Sequence, residues 1–578
     1  MTATPPNFNL NDHPNYDAFK PTEILILLIL AITAIICLAM LFYPYTLEDA
    51  YITFRYSEHF AEGHGLGAWN TQGERVEGYT TFMWMLLLAA AHALAIDVRT
   101  AAKTMGILMH LILCSSLIAF PLLRRDSRTR HNDIFENPNE AVLAGVFLAL
   151  YLPLCWYATS GMETVFFSAL TGLAFLSIFL RQSRFLLPLV SVLLVLTRPE
   201  GLVIAGAAIA LDFTTRRRES RRVLGTCISA GVVVFSVGFL VVHRLIVFGD
   251  IVPNTYWAKA GGASLRHVYW GLRYVYEWTA IHSIVVFLCG VGALSVTFSV
   301  VRARVRNWPV GFGIVLGLVL TFVAYIIKVG GDNYAAFPYW RHFVHLSAPL
   351  AYLSCYAVAR LSPKSRVFHL LVVLGVVFSA NMCILRAHNG MMLISIQASL
   401  SSYPSLTHVG HNEYLTRLKR LCQSNTTVAS SLGGELPYVV DAMHIDILGL
   451  NTRHIAKYGS FDPGGPPDSK TDMKWVLEQR PDIIEGYIPG TMVLNATPNE
   501  MTQYIDISWR SHMLKELVCS PIFQQGYLFV RNWPYQHMDR ALFIRTSYWV
   551  DRQLHDELDC IPVAETPLGV YAKNPHKN

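Results

Sequence analysis

The feature that most constrains this chain is a succession of apolar runs of about 20 residues, each able to cross a hydrocarbon layer ~30 Å thick as a helix. They fall at 24–43, 102–123, 140–155, 164–180, 185–197, 200–213, 223–245, 281–301, 309–327, 342–359 and 367–386. With 53% hydrophobic and only 15% charged residues in 578, the chain is not an array of soluble domains. The fold class expected is an α-helical polytopic membrane protein of about eleven transmembrane helices. Residues 1–22 are polar with a single Lys20, so 24–43 reads as a retained first helix rather than a cleaved signal.

Arginine sets the orientation. Basic clusters stand at Arg124, Arg125, Arg128 and Arg130; at Arg181 and Arg184; at Arg216, Arg217, Arg218, Arg221 and Arg222; at Arg302, Arg304 and Arg306; and at Arg360, Lys364 and Arg366. Taken together as cytoplasmic, they place the N-terminus inside and the C-terminus outside. Clusters between apolar runs account for the net charge of +6 without nucleic acid, for which no recognition motif is present. Residues 79–96 are apolar enough to span, but a crossing there turns Arg124–Arg130 outward. They are read instead as a juxtamembrane helix in the outer interface, with Tyr79 and Trp84 as belt aromatics.

After residue 389 nearly 190 residues follow without a spanning run, so 390–578 is expected to be a soluble α/β outer domain and 1–389 the transmembrane domain. Strands are expected at 427–431, 445–448, 482–487, 527–531 and 542–545, with a helix at 473–480. Ser431-Leu-Gly-Gly-Glu435 lacks phosphate-loop spacing and reads as a tight strand-to-helix turn. Seven cysteines lie in or beside apolar runs; Cys422, Cys519 and Cys560 match no zinc pattern, and a disulfide among them is left open.

The unusual polar residues collect in the outer loops. Glu48 and Asp49 follow the first span, where an unpaired charge is expensive and usually has a task. Thr46-Leu-Glu-Asp also fits a capping box for a helix running to about Glu62, so cap and general base both stand as readings. Arg198 and Glu200 flank Pro199 at the end of a span, and either pair together or bind and orient phosphate. Glu163 sits at the mouth of another helix, where an N-terminal acid is a common structural choice. Asp250, Asn254, Tyr256 and Lys259 share one loop with aromatics that suit sugar faces or anchor the membrane. Asp332 and Arg341 add an acid and a cation at the same depth, and Lys328 a further cation. His64, His243, His342 and His345 form no metal-like set, and interfacial hydrogen bonding is expected of them. No metal ligand is assigned; the outer acids suffice for a divalent cation, but no spacing demands one.

These residues carry a resemblance. The acidic pair followed by Ala50-Tyr-Ile-Thr-Phe-Arg-Tyr56, then Gly63-His-Gly-Leu66, Trp69-Asn70 and Gly73-Glu-Arg-Val-Glu-Gly-Tyr-Thr80, resembles the first outer loop of GT-C type polyprenyl-phosphate-dependent glycosyltransferases. The likeness is nearest to the terminal arabinofuranosyltransferases of the mycobacterial cell wall and their bacterial relatives. It extends to Gly161-Met-Glu-Thr164, Thr197-Arg-Pro-Glu-Gly201, Gly249-Asp250, Pro253-Asn-Thr255, Gly330-Gly-Asp332 and Asp446-Ile-Leu-Gly-Leu450, from about residue 45 to 460. The chain departs from the pattern at Glu48, where relatives commonly have Asp, and around Arg341, where a more compact motif is usual.

The resemblance implies a GT-C fold whose outer loop 45–100 carries the catalytic acid, with a soluble periplasmic domain that helps hold the acceptor. It implies Asp49 as base with Glu48 in support. Arg55, His64, Glu77, Glu163, Arg198, Glu200, Asp250, Asn254, Tyr256, Lys259, Asp332 and Arg341 become substrate-binding candidates. The implied partners are a polyprenyl-phosphate sugar donor, a cell-envelope glycan acceptor and the lipid bilayer of a bacterial inner membrane. The rival class is a polyprenyl-linked sugar or lipid transporter, which predicts mid-depth charges and an internal repeat; the sequence shows neither.

Overall fold

The computed structural model describes residues 18–123, 138–179, 185–216, 220–261, 265–303, 310–332, 340–361, 365–387, 413–462, 465, 467, 469–486, 488, 490–507, 511–531 and 541–573. The arginines at 124–130, 181–184, 217–218, 304 and 306, Lys364, Tyr487 and the domain boundary at 389 lie outside the described residues.

Among the described residues, five helices are long and apolar enough to cross a membrane, beginning with α1 (Pro21–Phe42) and including Leu224–Phe248, Gly311–Val329 and Arg366–Leu385. Two further pairs qualify as broken spans, Asn139–Leu150 with Leu152–Thr159, bent by 59°, and Leu265–Ile281 with Ser283–Thr297, bent by 91°. The first break precedes Pro153, which lacks the N–H that a continuous helix needs. Shorter apolar helices at Thr164–Ile178, Leu186–Thr197, Gly201–Thr214 and Ser347–Ala359 pack among them. The chain is a multi-pass membrane protein.

Between the first two long helices lie α2 (Ala50–Ala61) and α3 (Phe82–Ala93); α4 (Val98–Ile118) follows. At ~1.5 Å per residue, the 12 residues of α3 reach only ~18 Å and fall short of a ~30 Å core. Asp97 caps α4 by accepting from the Thr100 amide at 2.8 Å. One turn later the buried Lys103 donates to the Tyr43 carbonyl and, at 2.7 Å, to the Tyr45 carbonyl. Lys103 thus covers carbonyls left open past the end of α1 and fixes the path of the chain into Glu48 and Asp49.

Two loop expectations are corrected. Half of the stretch between the spans expected at 223–245 and 281–301 is the helix Leu265–Ile281, lying at a right angle to its successor. It buries His267, Gly271, Tyr274 and Trp278 and exposes Tyr269, Leu272 and Tyr276. Gly271 is required, because a Cβ there lies 2.4 Å from the Ile327 carbonyl oxygen. The span expected at 342–359 begins only at Ser347; Arg341–His345 is a separate short helix. Trp340, at φ 50° and ψ 62°, turns the chain between them and what precedes.

Residues 413–573 carry a six-stranded sheet of order β2-β1-β5-β7-β6-β8. Its strands are β1 (Thr427–Ser430), β2 (Met443–Asp446), β5 (Ile483–Gly486), β6 (Tyr527–Val530), β7 (Ala541–Arg545) and β8 (Cys560–Pro562); β3 (Ser460–Phe461) and β4 (Lys470–Thr471) form a separate hairpin. β1 is parallel to β2 and β5, and the rest of the sheet is antiparallel. β2 starts two residues before its expected position, and β3, β4 and β8 are too short for a periodic signal. All ten cysteines are free thiols.

Candidate active site

Five turns meet at the end of the bundle that carries the sheet, and each is held by a local device. Gly201 follows Pro199 where the helix Leu186–Thr197 stops, and a Cβ there comes within 2.1 Å of the Leu194 carbonyl oxygen. Only glycine lets the chain reverse this tightly, so Arg198 and Glu200 present their side chains to the same space. Gly161, at φ 88°, packs under Phe54 and Ala50 of α2. The carbonyl of neighbouring Ser160 accepts from the Leu47 amide at 2.9 Å, tying the Glu163 turn to the Glu48–Asp49 turn. Gly331, at φ 75°, packs against the Tyr274 ring and delivers Asp332. Trp278 stacks on Phe343 at 3.9 Å and 5°, which holds the Arg341–His345 turn.

The result is a chain of buried charges. Arg198 lies between two carboxylates, with Nη1 2.5 Å from Glu163 Oε1 and Nε 2.7 Å from Glu200 Oε1. Arg341 pairs with Asp332 at 2.8 Å, and its other amino group stands 4.0 Å from Asp49 Oδ2. The Glu163 charge reaches both arginines, so the six groups form one electrostatic unit. Tyr157 and Tyr274 line the Arg341–Asp332 side, and Tyr325 the Arg198–Glu200 side. No motif marked these tyrosines, because single aromatics in apolar runs look like packing.

The capping expectation for Thr46 is not met. α2 starts at Ala50 with Asp49 in helical backbone conformation and no side-chain cap. The two acids serve different partners. Glu48 turns away and accepts the Gly434 amide at 2.6 Å and the Glu435 amide at 3.2 Å. The turn after β1 therefore does bind an anion, and that anion is this chain's own carboxylate. Asp49 faces Arg341, with 14% of its side chain exposed.

Several of the substrate-binding candidates have partners within the chain itself. Arg55 donates from Nε to the Trp69 carbonyl at 2.7 Å and from Nη1 to the Pro437 carbonyl; burial lowers its pKa to about 10. Glu77 receives both guanidinium arms of Arg244, at 2.8 and 3.0 Å. Asp250 accepts from Lys457 at 2.6 Å and from the Trp257 indole at 3.0 Å. Asn254 donates to the carbonyls of Gly449 and Leu450, both at 2.9 Å. Tyr56 donates to Asn451 Oδ1 at 3.0 Å, and Asn451 in turn binds Asp446, whose carboxyl is raised by burial. The motif from Asp446 to Leu450 thus lies in the seam between the sheet and the bundle. His64 pairs with Glu62 at 3.8 Å and Tyr256 is 45% exposed, so neither joins the charge cluster. Lys259 is half-buried, and its ammonium has no partner among the described residues.

His342 and His345 depart from expectation most. Among the described residues neither ring makes the hydrogen bond expected of it; both stand with Nδ1 3.9 Å from Glu200 Oε1. Glu200, His342 and His345 are buried and place their ligand atoms within 4.8 Å of one another. Sequence spacing shows the two histidines but not the glutamate brought to them by another turn.

No protein-family model matches the chain, and no curated protein does. Solved structures do resemble it. The crystal structure of ArnT from Cupriavidus metallidurans bound to undecaprenyl phosphate superposes with a TM-score of 0.50 at 12% identity, covering 91% of this chain and 98% of that one. Its apo form gives 0.49 at 12% identity over 90% and 98%. The oligosaccharyltransferase of Archaeoglobus fulgidus, tethered with an acceptor peptide, gives 0.45 at 11% identity over 89% and 73%. At such identities the first of these shows a shared fold.

Proposed function

We propose that this chain is an inverting glycosyltransferase that moves a sugar from a polyprenyl-phosphate donor to a hydroxyl of a cell-envelope glycan or glycoconjugate. The observation that carries the reading is Asp49: a partly exposed carboxylate beside Arg341, at the meeting point of five turns that hold otherwise buried charges. Asp49 takes the proton of the acceptor hydroxyl as that oxygen attacks the anomeric carbon, and the bonding pair leaves with the polyprenyl phosphate. The leaving phosphate is a weak base, so cations that meet its charge suffice without a general acid. Arg341, beside Asp49, and Lys259, whose ammonium has no partner among the described residues, are the cations we assign to this role; Arg198 is held on both sides by Glu163 and Glu200. ArnT, which shares the fold, is a protein that binds undecaprenyl phosphate, which supports a lipid-linked donor.

The finer parts of the reading are the donor sugar, the side of the membrane and the domain roles. Arabinofuranose follows from the resemblance of the first loop. The reaction lies on the periplasmic side of a bacterial inner membrane, with the N-terminus cytoplasmic, 1–389 as the catalytic membrane domain and 390–578 holding the acceptor. A membrane assay with a labelled polyprenyl-phosphate sugar, comparing wild type with Asp49→Asn, tests it. The variant is expected to insert normally and to lose transfer by ~10²–10⁴-fold, the usual contribution of a general base. Transfer at the wild-type rate removes Asp49 from the mechanism.

A further inference from the structure

We infer that Glu200, His342 and His345 bind a divalent transition-metal ion beside the Asp49–Arg341 pair. These three bring two imidazole nitrogens and a carboxylate oxygen into one pocket, a donor set that suits zinc and its first-row neighbours and leaves further positions open. The spacing is close to what a metal requires. Ligands ~2.1 Å from a tetrahedral ion stand ~3.4 Å apart, and each Nδ1 is 3.9 Å from Glu200 Oε1. A small side-chain adjustment closes the set.

Two independent observations point to an occupant. The first is unsatisfied polarity: Glu200 Oε2, His342 Nδ1 and both ring nitrogens of His345 are buried without a hydrogen-bond partner. Glu200 and His345 are 3% and 0% exposed and His342 6%, so water does not supply the missing bonds from outside. Buried polar atoms are normally paired, and one cation takes Glu200 Oε2, His342 Nδ1 and one ring nitrogen of His345 together. The rings are also held in place. His342 meets Tyr274 and Tyr325 edge-on, and His345 does the same with Phe167 and Phe322.

The second observation is charge. Glu163 and Glu200 share the one guanidinium of Arg198, so the carboxylate that faces the two histidines is only partly balanced. A divalent cation beside Glu200 supplies the missing positive charge. On the glycosyltransferase reading, from which this consequence follows, an anionic donor phosphate then approaches a less negative site.

The test reads metal directly, so it stands whether or not the transferase reading survives. The detergent-purified full chain is stripped with chelator, exposed to Co²⁺, dialysed and measured by elemental analysis and visible absorption. The wild type is expected to retain one equivalent of cobalt with ligand-field bands of nitrogen and oxygen coordination. His345→Leu keeps the packing against Phe167 and Phe322 and is expected to elute as a single species without bound cobalt; Glu200→Gln serves as the second variant. A wild type that retains no cobalt overturns the site, as does His345→Leu retaining as much as wild type, the mark of adventitious surface binding.

Discussion

Gly434→Ala separates the two halves of the molecule at one atom. A Cβ at this position lies 2.1 Å from the Glu48 carbonyl oxygen and 2.7 Å from its Oε1. Backbone is met on one side and a bonded carboxylate on the other, so the turn after β1 must retreat by roughly 1 Å to restore a normal contact. The retreat weakens the amide bonds from Gly434 and Glu435 to Glu48, charge-assisted bonds worth about 1.5–3 kcal/mol each. Glu48 adjoins Asp49, so the proposed base shifts with it, and a misplacement of about 1 Å costs on the order of 10²-fold in rate. The expected result in the labelled-donor assay is a fall of that order in kcat, with the donor KM little changed. Gly206→Ala, where a Cβ meets open space, is the matched control. Wild-type turnover by a folded Gly434→Ala protein refutes the argument that the sheet positions the catalytic loop.

Other perturbations read other parts of the structure. Arg198→Met leaves Glu163 and Glu200 buried without their cation and should destabilise the protein by about 3–5 kcal/mol, seen as a lower midpoint in thermal unfolding. His444, buried in the seam with its ring donating to the Val440 carbonyl, has its pKa pushed down to about 3 by burial. An unfolded histidine titrates near 6.5, so below about pH 6.5 only the unfolded chain takes up the proton. The stabilisation is therefore complete above that pH and fades as pH falls, by roughly 1.4 kcal/mol per unit down to the folded pKa. Melting curves at about pH 7.5 and 5 should diverge less in His444→Gln than in wild type.

What the sequence allowed to be read, and what it did not, divides along physical lines. Charges in apolar surroundings stand out, so Asp49, Glu163, Arg198, Glu200, Asp332 and Arg341 were visible as candidates, and the structure brings them together. Their division of labour was hidden. Glu48, Arg55, Glu77, Asp250 and Asn254 have the same composition as ligand-binding residues, yet their partners come from segments far along the chain. No local pattern encodes whether a guanidinium meets a substrate or the Pro437 carbonyl. Lys103 was masked by the apolar run around it, and the helix Leu265–Ile281 by its mixture of aromatic and polar residues. The pairing of Glu200 with His342 and His345 depends on the tight reversal at Gly201, a matter of backbone approach and not of spacing.

The helix Leu265–Ile281 also gives the protein a depth gauge. Its outer face carries Tyr269, Leu272 and Tyr276, residues that settle where hydrocarbon meets headgroup, while Trp278 on its inner face is stacked on Phe343. With that face set in the interface, Arg341 and the histidines take their depth from this helix through the Trp278–Phe343 stack. In a thicker or thinner bilayer the long helices tilt to compensate. On the proposed reading, the height at which a lipid-borne phosphate meets Arg341 then stays the same.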